Sequence, residues 1–175
     1  NGGMQIYGGR FAYGLSKKVE VGMGGSFSNP HDAEYPPEIQ PSLKWKFYEN
    51  EKKDLAFIGG TNVYLPVRNR AYNIGTYSYL ATSKTIKKTR LTAGGFVYSK
   101  NVVAPNAVRS GGQFAVEQTV NSKLTLAADW LTGKHANGYL TPGVIYKPHP
   151  KVTTYCSYSI GNDKATAGNH FFLFG

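Results

Sequence analysis

The chain has 175 residues, of which 41% are hydrophobic and 14% aromatic, and its formal net charge is +10. This length fits one domain, residues 1–175, with a buried core, and the single cysteine excludes an intrachain disulfide. No apolar run approaches the roughly 18 to 20 residues of a membrane-spanning helix, so the sequence excludes a helical membrane protein.

Alternation of apolar and polar residues marks strands along the whole chain. It is clearest at 124–130, where leucine, leucine, alanine and tryptophan alternate with threonine, alanine and aspartate. No segment keeps an apolar period of 3.6 residues, and the 21 glycines and 13 tyrosines favour β-structure. The sequence therefore predicts an all-β fold, an antiparallel up-and-down sheet of eleven strands.

Turn signals separate the predicted strands. In chain order the strands are 4–15, 19–27, 38–47, 55–65, 72–82, 90–98, 113–117, 124–130, 140–146, 152–160 and 170–175. The turn at 16–18 pairs Leu15 with Val19, which places Arg10 opposite Gly24. In the fourth and fifth strands both faces carry tyrosine or aliphatic residues, so their face assignment stays open.

Three features favour a transmembrane β-barrel over a soluble sandwich. Many strands reach nine or more residues, enough to cross a bilayer when tilted. Tight connections follow the odd-numbered strands and longer ones follow the second, sixth and tenth, with PVRN after the fourth as an exception. Aromatic residues lie near strand ends, as in interfacial girdles: Tyr13, Phe27, Trp45, Phe47, Trp130 and 171–174. A soluble all-β binding module stays open as an alternative.

Strand parity adds an expectation about the complete protein. Bacterial single-chain barrels have an even number of strands and both termini in the periplasm. If the tight turns face the periplasm, a twelfth strand precedes Asn1. We therefore expect twelve strands in the complete protein, with the N-terminal strand and the last C-terminal residues missing from this sequence.

Two segments carry a family resemblance. The final HFFLFG resembles the C-terminal strand of outer-membrane barrels, although the chain stops at Gly175 rather than at a terminal aromatic residue. The run ADWLTGKHANGYLTPGVIY, with YSIGN, resembles small uncharacterised porin-like outer-membrane barrels of Gram-negative bacteria. The resemblance implies a bacterial outer-membrane location and no particular activity.

Charged residues recur on the polar strand faces and are the candidates for a lumen. The predicted lumen-facing set is Arg10, Glu20, Glu38, Lys44, Lys46, Arg90, Glu117 and Asp129. Four are basic and four acidic, so strong ion selectivity is not expected. Two functions stay open, a narrow, weakly selective solute channel and a filled structural scaffold of the membrane.

Lysines concentrate in or beside the tight turns and predict a basic rim at one end of the barrel. The set is Lys17, Lys18, Lys52, Lys53, Lys87, Lys88, Lys123 and Lys151, with Lys84 and Lys147 close by. The expected partner is the lipid bilayer, including anionic headgroups, and an acidic protein docked on the rim is the alternative. Nucleic-acid binding is not expected because the aromatic residues belong to strand faces. Oligomerisation stays open.

No set of residues predicts catalysis, a cofactor or a metal centre. His31, Asp32 and His135 fall in presumed external loops, His149 in a turn and His170 at the start of the last strand. No strand places serine beside histidine, so we do not expect an enzyme. Loop 161–169 is polar enough for calcium, but an ordinary flexible loop is the favoured interpretation. Cys156 is expected to face lipid.

Overall fold

The computed structural model describes residues 5–29, 37–67, 73–149, 152–164 and 170–175. These residues form one antiparallel sheet of eleven strands, in which neighbours in the sheet are neighbours in sequence. The predicted all-β, up-and-down architecture is therefore confirmed. The first and last strands are not paired with each other, so the described sheet is not closed into a barrel.

Ten long strands and one short strand make up the sheet. They are β1 (Gln5–Gly14), β2 (Val19–Asn29), β3 (Glu38–Asn50), β4 (Leu55–Pro66), β5 (Gly75–Ile86), β6 (Thr89–Tyr98), β7 (Ser110–Thr119), β8 (Leu124–Leu131), β9 (Tyr139–His149), β10 (Val152–Gly161) and β11 (Phe171–Phe174). A 3-10 helix, Glu51–Lys53, joins β3 to β4. Among the described residues, no helix is long and apolar enough to cross a membrane.

The register of the first hairpin is the one that the sequence predicts. Arg10 pairs with Gly24 across β1 and β2. Since directly paired residues share a face of the sheet, the long guanidinium side chain lies beside a residue without a side chain.

Several predicted strands are shorter than the observed ones: β7 begins at Ser110 rather than at 113, β9 continues to His149, and β3 and β5 differ as follows. β3 continues to Asn50, because its ladder with β4 resumes after a bulge between Lys46 and Tyr48 and runs on to the Asn50–Leu55 pair. β5 begins at Gly75 and ends at Ile86, so SKTIKK is largely strand: its ladder with β6 runs on to the Ile86–Thr89 pair. A two-residue turn with Lys87 at a positive φ of 58° then reverses the chain.

The connections alternate strictly in length. Those after the odd-numbered strands are 15–18, 51–54, 87–88, 120–123 and 150–151, and those after the even-numbered strands are 30–37, 67–74, 99–109, 132–138 and 162–170. The exception expected at PVRN is wrong, because eight residues separate β4 from β5. Antiparallel order places the first group at one edge of the sheet, called the short-turn end, and the second at the long-loop end.

The two faces of the sheet differ sharply. One, called the apolar face, carries large side chains that nothing in the described protein covers, such as Phe11 at 65%, Leu80 at 65% and Phe174 at 72% exposure. The other, called the polar face, holds the only cluster of buried hydrophobic residues in the described chain: Phe96, Tyr98 and Val103, each at most 7% exposed. The core therefore lies on the polar face.

The polar face changes character beside β11. By register Tyr155, Phe171 and Leu173 lie on it, opposite Ile145, Ser159 and Ser157. All three are exposed. The expected aromatic girdle at 171–174 is therefore divided, with only Phe172 and Phe174 on the apolar face.

Candidate functional site on the polar face

The eight predicted lumen residues lie on one face of the sheet. The ladders pair Glu20 with Lys44 and Arg90 with Glu117. The same ladders place the other four on the same face as these pairs: Arg10 on β1, Glu38 and Lys46 on β3, and Asp129 on β8. Because side chains alternate between faces along a strand, this register places all eight on the polar face.

Five of these eight residues line one cavity of about 570 Å³ at the short-turn end. Its wall runs from Gly14 of β1 to Glu117 of β7. In a flat sheet, strands six positions apart would be separated by about 29 Å. The sheet is therefore strongly curled, with the polar face concave. Arg10 is accordingly within electrostatic reach of Tyr79, four strands away.

Two ion pairs neutralise part of the cavity wall. Lys46 Nζ lies 2.6 Å from Glu49 Oε1, and Arg90 lies 3.2 Å from the Glu117 carboxylate. The sequence does not predict Glu49 on the polar face, because the β3 bulge before it reverses the alternation of side chains between the two faces. Lys44 opposes Glu20 in the ladder but forms no ion pair among the described residues. The basic and acidic residues that line the cavity are equal in number, and Lys44, like Lys17 and Lys18, is a cation of the lining without an ion pair in the described chain.

Aromatic side chains narrow the polar face toward the long-loop end. The aromatic cluster consists of Tyr77, Tyr79, Phe96 and Tyr98, with ring centroids 4.9 Å apart for Tyr77–Tyr98 and 5.4 Å for Phe96–Tyr98. The Tyr77 hydroxyl donates a 2.7 Å hydrogen bond to Gln113 Oε1. The sequence does not predict this cluster, because both faces of β5 carry tyrosine or aliphatic residues.

The 99–109 connection folds onto the aromatic cluster. Val103 is 7% exposed and packs with Phe96 and Tyr98, and Val102 packs against the same group. The Tyr98 amide donates to the Arg109 carbonyl at 2.6 Å, which ties the end of the connection back to β6. The connection therefore caps the polar face at the long-loop end.

His135, from the 132–138 connection, completes this cap. Its side chain is fully buried and meets the rings of Phe96 and Tyr98 edge-on at 5.5 and 5.3 Å. Nδ1 accepts a hydrogen bond from the Asn137 amide, so the proton lies on Nε2, which donates to the Thr132 carbonyl at 2.9 Å. Burial lowers the pKa of the imidazole, against a smaller raising effect of that carbonyl. His135 is thus a neutral structural residue.

The predicted basic rim lies at the short-turn end, apart from Lys151, which is outside the described residues. Backbone hydrogen bonds link each turn to the neighbouring hairpin. They run from Lys46 to Lys18, Thr85 to Asp54, Thr119 to Lys88 and Lys147 to Lys123, at 2.7 to 3.0 Å. The lysines are therefore held on a continuous edge.

The remaining candidates are His149, His170, Cys156, the pair His31 and Asp32, and the loop considered for calcium. No group of three or more His, Cys, Asp or Glu there could hold a metal ion. His149 and His170 are exposed and lie on different strands or strand ends. His31 and Asp32 lie outside the described residues, as do 165–169 of the loop considered for calcium. Cys156 is exposed and shares the apolar face with Tyr158.

Comparison with protein-family models, with curated proteins and with solved structures found no match for this chain. The geometry of the sheet is therefore the basis for a functional proposal.

Proposed function

We propose that the protein is a transmembrane β-barrel of the bacterial outer membrane, with the apolar face toward lipid and the polar face toward its interior. The observation that carries the proposal is the exposure of one entire face of the sheet. Large apolar side chains from all eleven strands are exposed, while the predicted charged residues gather on the opposite, concave face. Soluble monomers rarely expose apolar patches beyond a few hundred Å².

Strand dimensions support this proposal. β1 to β10 contain 8 to 13 residues, and about 9 to 11 tilted residues cross the hydrocarbon layer. Near the short-turn end, Trp45, Phe47, Tyr48 and Phe57 form an aromatic patch with centroid distances of 5.4 to 6.3 Å. Aromatic belts of this kind occur where a barrel meets the lipid headgroups.

Parity bears on how such a barrel would close. β1 and β11 both run from the long-loop end to the short-turn end, so they are parallel to each other. An antiparallel barrel needs an even number of strands. A twelve-stranded barrel therefore requires one further antiparallel strand between these two edges.

Tryptophan quenching tests the membrane proposal directly. The only two tryptophans, Trp45 and Trp130, are 54% and 42% exposed on the apolar face. In vesicles of phosphatidylcholine brominated on its acyl chains, both should lose fluorescence relative to unbrominated vesicles. The variants Trp45→Phe and Trp130→Phe report each position separately. Unchanged emission from both, in protein that is folded and associated with vesicles, would contradict the proposal.

Within the membrane, the cavity favours a narrow, weakly selective solute pathway, and the capped aromatic cluster favours a structural scaffold. Conductance in a planar bilayer under a salt gradient separates them. Lys44 lines the cavity from within β3 and forms no ion pair among the described residues, so Lys44→Glu should shift the reversal potential toward cation selectivity. Lys52→Glu changes the same charge on the rim, outside the cavity lining, and serves as the control.

The two outcomes are distinct. A conducting protein whose selectivity responds to Lys44→Glu and not to Lys52→Glu has its pathway through the cavity. A folded, inserted and electrically silent protein is a scaffold. A docking subunit for an acidic protein is a further candidate, favoured only by the basic rim.

A further inference from the structure

The apolar face carries a groove with a lysine at its edge. The groove has a volume of about 560 Å³ and spans β4 to β8. Its lining includes Leu55, Lys84, Leu91, Ala93, Phe114 and Trp130. The lining thus combines small and large apolar side chains, with Trp130 and Phe114 in ring contact at 5.8 Å.

Lys84 is the residue that sets this groove apart. It lies near the end of β5 at the short-turn end, paired with Leu55 and Leu91 on the apolar face. Its side chain is exposed and makes no ion pair with the described residues. Asp129 also borders the groove, but its register position is on the polar face.

Further lysines lie just beyond the groove, in the turn 51–54, which also contains Glu51 and Asp54, and in the turn 87–88. Lys53 precedes the groove residue Leu55 by two positions, and Lys87 and Lys88 form the turn that follows β5. The Thr85 amide donates to the Asp54 carbonyl at 3.0 Å, which holds these two turns together. All three lysines are exposed.

We propose that this groove binds one acidic phospholipid, its acyl chain in the groove between Leu91 and Trp130 and its phosphate at Lys84. The inference rests on the proposed membrane function. Charge complementarity selects this occupant, because an apolar channel ending at an unpaired cation matches an acyl chain joined to an anionic headgroup. An acidic protein would satisfy the lysines and leave the channel unfilled.

A second groove on the same face provides an internal control. It has a volume of about 810 Å³ and includes Leu43, Trp45, Leu80 and Val97, and no basic residue lines it in the described chain. Each groove therefore contains one of the two tryptophans, and only the groove at Trp130 contains a lysine.

The experiment uses brominated phosphatidylglycerol as a minor component of phosphatidylcholine vesicles, with brominated phosphatidylcholine at the same fraction as reference. Trp130, measured in Trp45→Phe protein, should be quenched more by the acidic lipid than by the neutral one. One lysine near a lipid surface raises local acidic-lipid occupancy about fivefold. Lys84→Gln should remove most of this preference at Trp130 and leave Trp45, measured in Trp130→Phe protein, unchanged.

Lys123→Gln removes an exposed rim lysine that does not line the groove. Equal loss of the preference for acidic lipid in Lys84→Gln and Lys123→Gln would show that the overall charge of the basic rim attracts the lipid. That result would overturn the lipid site. Equal quenching of Trp130 by acidic and neutral lipid in otherwise native protein would also overturn it. Absence of quenching by either brominated lipid would instead count against the membrane proposal itself.

Discussion

At the scale of single residues, the burial of His135 makes the stability of the folded protein depend on pH. Its folded-state pKa is lowered from the ordinary value of 6.5, so below pH 6.5 the unfolded chain binds more protons than the folded chain. Its contribution to stability is therefore complete above pH 6.5 and is lost as pH falls through the lowered pKa.

We expect His135→Ala to destabilise the protein by roughly 1 to 3 kcal/mol at neutral pH, because the Asn137 amide and Thr132 carbonyl lose a buried partner. The variant should also lose part of the decline in stability on acidification. Denaturant unfolding of the refolded protein between pH 8 and pH 5 measures both. His170→Gln, at an exposed histidine, should keep the decrease in stability that the native protein shows on acidification. An equal reduction of that decrease in both variants would show that His135 is not its source.

Residue positions on the polar face were largely predictable, because period-two alternation fixes the face of a residue once its strand is known. Glu49 was not, since a bulge leaves no mark in the local pattern and moves every later residue to the other face. The burial of His135 was also hidden, because it depends on ring contacts with Phe96 and Tyr98 of another strand.

At the scale of elements, Asn162 joins two connections of the long-loop end. Its Nδ2 donates to the carbonyls of Leu131 and Gly133 at 2.7 and 3.0 Å, and its Oδ1 accepts from Trp130 Nε1 at 2.9 Å. Its own amide donates to the Gly138 carbonyl at 2.8 Å. Asn162 thus holds both ends of the 132–138 connection, the first end through its side chain and the last through its backbone amide.

We expect Asn162→Ala to loosen this connection at a cost of roughly 1 to 3 kcal/mol, because three side-chain hydrogen bonds are lost. Amide hydrogen exchange should rise within 132–138. Asn121→Ala makes a comparable change at the short-turn end, where the side chain accepts from the Lys123 and Leu124 amides. That control should leave amide exchange in 132–138 unchanged. An equal rise in both variants would show that the Asn162 side-chain hydrogen bonds do not specifically hold this connection.

Element boundaries were predictable only where a turn signal is strong. The polar run SKTIKK suggests a connection, yet most of it continues β5, because strand residues at a solvated sheet end can be polar without loss of the ladder. The long 67–74 connection was underestimated for a similar reason, since tyrosine and aliphatic residues extend the apparent strand pattern beyond its start at Gly75.

At the scale of the whole molecule, neighbouring residues of β8 distinguish a membrane wall from a soluble sheet. Leu126 lies on the apolar face at 47% exposure, and Ala127 lies on the polar face opposite Glu117. In a membrane, lipid would contact the apolar face and not the polar face. The same substitution at Leu126 and at Ala127 therefore reports which of the two faces contacts lipid.

We expect Leu126→Arg to reduce folding into lipid vesicles, at a cost of about 2 to 4 kcal/mol for an arginine near the bilayer midplane. Ala127→Arg should be tolerated better, because Glu117 lies across the ladder from it. Folding yield in vesicles, followed by protection from added protease, measures the difference. In a soluble sheet the order would reverse, since Leu126 is exposed and its replacement by arginine would be mild.

The sequence sufficed for the fold class, the strand number and the shared face of the eight charged residues, because all three depend on local alternation. Curvature, the cavity and the aromatic cluster did not follow, because they depend on contacts between strands that are distant in sequence. Closure of the sheet and its membrane setting stay proposals.

The strictly sequential pairing of the strands also bears on how such a protein can change over evolutionary time. In the ladder, each described strand pairs only with its neighbours in sequence, so a hairpin is a unit that can be duplicated or deleted. Such an event adds or removes two strands, restores the chain direction and keeps every remaining side chain on its own face. The width of the sheet can therefore diverge between descendants while the two faces keep their chemistry.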